Sequence, residues 1–139
     1  MNPLPGEIFL DGDFALPNGV VKPMYLMVAC DTPAASQSVL FTLLTPYDEA
    51  REEPGPDWEW PERFVVKHYH SPLNQPTTVM IDDVYRANSV ILLQRCRYIG
   101  SFDTRLTADI LASLGESPGI PRKWSSAIRD IAHRLNPDL

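Results

Sequence analysis

Cysteine is scarce in this chain, with two in 139 residues, and long apolar runs are missing altogether. Crossing a bilayer as a helix takes roughly 18 consecutive apolar residues, and no stretch comes close, so no membrane partner is expected. Cys30 and Cys96 each sit inside an apolar, strand-like run, which favours two buried thiols over a disulfide and suits a cytoplasmic setting. The opening MNPLPGEIFL has neither a basic n-region nor a long apolar h-region, so no signal peptide is expected. Standard catalytic signatures are also missing: there is no phosphate loop, no GxSxG, no HExxH and no zinc spacing. Cofactor and metal are therefore not called for.

Positive charge is in short supply as well. Twelve Lys and Arg face eighteen Asp and Glu, for a net charge of −6. Residues 1–45 carry one base against four acids (−3), 46–63 two against seven (−5), 64–100 four against two (+2), and 101–139 five against five (0). Nucleic acid is normally met by a broad basic footprint. Here any such footprint is confined to the +2 block.

What is present reads as one domain's worth of strands followed by helices. Glu7–Leu10 is a short strand, and Asp11-Gly12-Asp13 and Pro17-Asn18-Gly19 are turn signals that put the DxD in a solvated loop. Residues 24–30, MYLMVAC, and 39–45, VLFTLLT, are strands, and 64–70, FVVKHYH, returns to the same pattern. Residues 46–63 hold four prolines and seven acids and read as an exposed excursion. Trp58 and Trp60 share a face there, as a lid over the core or as an anchor for a partner. His68 and His70 also share a face, the spacing of an acid–base pair or of two metal ligands, but no Cys, Asp or Glu nearby completes a metal set.

Residues 77–100 organise the rest. They read as two strands joined at Ala87-Asn88-Ser89, the first ending in Asp82, Asp83 and Arg86, the second running from Val90 and basic at Arg95 and Arg97. Asp103 or Ser101 can cap a helix over 104–114, and Gly115 stops it. Pro121 opens a second helix to about residue 135, with Trp124, Ile128, Ile131, Ala132 and Leu135 as its apolar stripe. The expected class is α+β: a small, strongly bent antiparallel β-barrel with C-terminal helices. Residues 1–115 form the barrel and its first helix, and 116–139 a linker and terminal helix packed on the barrel or on a partner.

In order along the chain, several of these pieces resemble the PemK/MazF toxins. Pro5-Gly6-Glu7-Ile8 looks like their opening strand, Lys22-Pro23 like their Arg-Pro strand, and Thr45 like the threonine closing their third strand. Ser71-Pro72-Leu73, TTVMIDDVYR and RCRYIGSFDTRLTADILASL are similar to their last strands and helix, so the likeness spans about residues 5–114. The resemblance implies an SH3-like barrel, usually dimeric, that cleaves single-stranded RNA without metal and is covered by a cognate antitoxin. It implies Lys22, Thr45 and Asp82 as catalytic positions, with Arg86 a nearby cation; from the thin cationic inventory of such a groove, Arg86, His68 and His70 are the expected substrate-binding groups. The alternative on the same barrel is a protein-interaction module that has lost cleavage. Lys22 stands where the family has arginine, Met80 where some members have a catalytic arginine, and Asp83 where many carry glutamine.

Overall fold

A computed structural model describes residues 3–31, 37–46, 63–66, 72–81 and 83–139. In chain order the elements are β1 (Glu7–Ala15), β2 (Val21–Asp31), β3 (Ser38–Pro46), β4 (Arg63–Val66), β5 (Thr77–Met80), β6 (Tyr85–Asn88), α1 (Ser89–Arg95), β7 (Arg97–Ser101), α2 (Thr104–Gly115) and α3 (Arg122–Leu135). The class is α+β, and the strands form one antiparallel sheet in the order β4-β5-β3-β2-β1-β7, with β6 pairing β3 beside β5.

The sheet is apolar on both sides, which is why its central strands read as unbroken hydrophobic runs. Alternate residues of a strand face opposite ways. On one face Ile8, Met27, Ala29, Leu40, Leu44 and Val79 pack under Ile110, Leu111 and Leu114 of α2 and Ile128, Ile131 and Ala132 of α3. On the other, Phe9, Phe14, Met24, Leu26, Val28, Val39, Phe41 and Leu43 form a second cluster, met by Leu92 of α1.

β3 holds the sheet together because it serves two partners along one edge. Its first half pairs with β6, Leu40 opposite Arg86, and its last residues pair with β5, Leu44 opposite Val79. The junction is bridged by Thr42, whose fully buried hydroxyl donates to the Met80 carbonyl, with the Asp83 carbonyl 3.3 Å away. Thr42→Val keeps the shape and removes the donor that the Met80 and Asp83 carbonyls face. It is expected to lower stability by about 1–3 kcal/mol in urea unfolding.

The helices at the C-terminus follow local rules. The Asp103 side chain accepts from the Leu106 N–H at 2.8 Å and starts α2. α3 begins just after Pro121, and its stripe is buried against α2 and the sheet.

Four expectations are corrected. Residues 90–93 are not strand: Ser89–Arg95 is helical, because the Asn88 side chain accepts from the Val90 and Ile91 N–H groups at 2.9 and 3.2 Å and caps the turn. Cys96 is therefore not in a strand either, but ends α1 by donating its N–H to the Leu92 carbonyl. Asp11-Gly12-Asp13 is not a solvated turn but lies inside β1, where a register shift between Asp11 and Phe14 accommodates the extra residue. The sheet does not close: β4 and β7 are its two ends, and among the described residues no pairing joins them. Trp58, Trp60 and the 46–63 excursion beyond Pro46, Arg63 apart, lie outside the described residues.

Candidate functional site

Strand register decides which of the sequence-selected groups can act together. Lys22 on β2 is exposed and directly opposite Phe14 of β1, so it shares the face of the second cluster. Thr45 on β3 is half-buried, opposite Thr78 of β5, and shares that face with Leu43. Because Tyr25 pairs with Leu44, the next pair out brings Met24 beside Thr45, and Lys22 follows two residues along. From strand spacing and rise the Lys22 and Thr45 backbones are about 8 Å apart. Both lie at the same end of the sheet.

Arg86 does not join them. It is opposite Leu40, whose face is the one covered by α2 and α3, and it lies five residues up β3 from Thr45. That is about 17 Å along the strand and on the other side. Asp82, His68 and His70 lie outside the described residues. Among the described residues no cluster of three or more His, Cys, Asp or Glu could hold a metal ion.

The same face carries a group of polar residues that the sequence did not bring together. Asp11 is only 6% exposed although it is a carboxylate in an apolar cluster. Its Oδ1 accepts from the Asp13 N–H at 3.0 Å and from Arg95 Nε at 3.2 Å. Arg95, the last residue of α1, also donates through Nη2 to the Asp13 carbonyl, so the helix end is tied to β1. A buried carboxylate is tolerable when it is paired and hydrogen-bonded in this way. Beside the pair is a cavity of about 230 Å3, walled by Phe14, Leu26, Phe41, Ala87, Ile91 and Leu92 and bordered by Cys96.

Phe14, Phe41 and Tyr85 stiffen the wall. Phe41 and Tyr85 stack with centroids 5.5 Å apart, and Phe14 meets Phe41 edge-on at 6.1 Å. The Cys96 thiol is pushed up to about 11 by burial first, then by the Asp11 carboxylate, with Arg95 pulling the other way. It is protonated at neutral pH, and so is a poor nucleophile. Iodoacetamide is expected to alkylate Cys96 in the folded chain far more slowly than in urea at pH 8. The sign for stability follows: a thiol raised on folding contributes below its ordinary value and loses that contribution as pH climbs toward 11. A signal for Asp11 did exist, since Phe9 and Asp11 are in phase along an uninterrupted strand. Gly12 hid it by resembling a turn.

Scanned against models of protein families the chain matches none, and a search of curated proteins finds no match either.

Proposed function

We propose that this chain is a toxin-type endoribonuclease, a divergent relative of the PemK/MazF proteins on an SH3-like plan, that cleaves single-stranded RNA without a metal ion. The observation that supports this best is the shared face and shared end of Lys22 and Thr45, which are 23 residues apart in sequence yet about 8 Å apart in the sheet. A phosphate between them would meet an ammonium and a hydroxyl, the two donors needed as negative charge grows on its oxygens. The ribose 2′-oxygen attacks phosphorus, its proton goes to Asp82, and the 5′-oxygen leaves with a proton from solvent or a neighbouring acid. The product is a 2′,3′-cyclic phosphate and a free 5′-hydroxyl. Lys22 grips as a point charge and cannot hold phosphate in a two-pronged way.

Purified chain incubated with a mixed-sequence single-stranded RNA in chelator-containing buffer is the direct test. Cleavage to cyclic-phosphate ends, lowered about tenfold or more by Thr45→Val, is expected. Intact RNA overturns the proposal.

A second reading is favoured by one feature. Val90, Ile91 and Leu93 of α1 are exposed at 44, 58 and 39%. An apolar helix face in water suits a protein-interaction module whose partner is an antitoxin-type protein. That reading takes over if the RNA stays whole.

A further inference from the structure

The cavity between β1 and α1 is not used by the phosphate chemistry above, yet its lining has the character of a binding pocket. Its walls are aliphatic and aromatic, and its polar groups converge at one side, as in small-molecule sites. Both hydrogen bonds that the Asp11 carboxylate makes among the described residues go to Oδ1, which leaves Oδ2 for a ligand. Arg95 is half-exposed at the mouth and keeps further N–H groups beyond those spent on Asp11 and Asp13.

We infer that this cavity is a nucleobase pocket, with a base edge hydrogen-bonded to Asp11 and Arg95 and the ring held between Phe14, Phe41 and Ile91. Four properties of the site select that class. The space, about 230 Å3, suits one small ring system and is below the usual size of drug-like sites. The aromatic wall favours a flat ligand. The Asp11–Arg95 pair has no net charge, so it asks for a neutral group offering a donor and an acceptor side by side, as every nucleobase edge does. A bare anion would face the carboxylate, and a cation would have to compete with Arg95.

Position adds the fourth. Asp11 pairs with Met24, and Met24 neighbours Thr45, so Asp11 and Thr45 lie in one row across three strands on one face. Two strand spacings separate them, about 10 Å. That is the scale of the step from a phosphate to the base of an adjoining nucleotide. The choice of a nucleobase over other flat amides rests on the strand-cleaving reading, whereas the presence of a neutral-ligand pocket does not.

The test uses the full chain and the four free nucleosides, which carry no phosphate. Guanosine, adenosine, cytidine and uridine are titrated separately to about 5 mM while backbone amide shifts are followed by NMR. At least one nucleoside is expected to saturate, with shifts concentrated at Ala87, Leu92 and Cys96. Asp11→Asn weakens it about tenfold. Ala87→Leu, which fills the cavity without touching a charge, does the same and carries the test if Asp11→Asn fails to fold. No saturation by any nucleoside, or binding unaffected by Ala87→Leu, overturns the inference. Cleavage of RNA with the same base preference in wild type and Ala87→Leu also overturns it, and leaves the nuclease reading standing. Nucleoside binding with RNA untouched supports the pocket as a site for free nucleosides and removes the nuclease.

Discussion

Lys22→Ala is expected to lower single-stranded RNA cleavage by about 10²–10³-fold, the usual cost of removing one preorganised charge from a reacting oxyanion. It is expected to leave the unfolding midpoint unchanged, because Lys22 is exposed at the start of β2 and an exposed side chain contributes little to stability. Asp82→Asn keeps the side-chain shape and removes the proposed proton acceptor, with an expected loss of about 10²–10⁴-fold. If the proposed nuclease activity holds, the wild type expressed alone in bacteria is expected to slow growth, and either change to relieve it. Lys22→Arg is expected to retain the proposed activity and tighten RNA binding, since a guanidinium offers the phosphate two parallel donors. With so few cations on that face, RNA binding is expected to be weak and only shallowly salt-dependent, because the salt slope scales with the number of phosphates neutralised. A wild type that is harmless to cells and leaves RNA intact in metal-free buffer would sink the nuclease, whatever the variants do.

The second large effect is on the fold. Gly6 adopts φ +89°, where a side chain is strained, and a Cβ there would run into the Thr107 side chain of α2. Its own backbone is committed on both sides: its N–H donates to the Val28 carbonyl at 2.8 Å, and its carbonyl accepts from the Phe102 N–H at 3.0 Å. The residue cannot rotate out of strain without giving up the tie between β2 and the start of α2. Gly6→Ala is expected to destabilise the chain by about 2–5 kcal/mol, from left-handed strain together with overpacking. Adding Thr107→Ala relieves the overlap and leaves the backbone strain. The double variant therefore recovers part of the loss in urea unfolding. An unaltered midpoint in Gly6→Ala would refute the account.

The parts of this fold that could be read ahead of the structure are those settled within a few residues. Asp103 three residues ahead of Leu106, a stripe at helical spacing and the stop at Gly115 define α2 with no outside help. β2 and β3 declare themselves by being apolar at both parities. Val90–Leu93 misled because four apolar residues fit strand or helix equally well, and the choice rests on one side chain, Asn88, closing the first turn. The candidate site was legible only where identity sufficed. Lys22 and Thr45 were chosen on resemblance, but their common face depends on how β2 registers against β3. Arg86 is near Asp82 in sequence, which places it close to the catalytic positions along the chain only. Pairing it opposite Leu40 puts it on the other side. Asp11 and Arg95 are 84 residues apart, and nothing local joins a DGD to the end of a distant apolar run.

The divided pairing of β3 also orders events in time. Thr42 and Met80 are 38 residues apart, so β1, β2 and β3 can form their meander while the chain that completes β3 is still being synthesised. Through that interval the run Val39–Leu44 has one finished edge and one bare edge, with unpaired N–H and C=O groups beside apolar side chains. Such an edge recruits any other strand it meets, including the same edge of a second nascent chain. Slow elongation between residues 46 and 77 is therefore expected to raise aggregation, and variants that weaken the docking of β5 or β6 to lose soluble yield before they lose thermal stability.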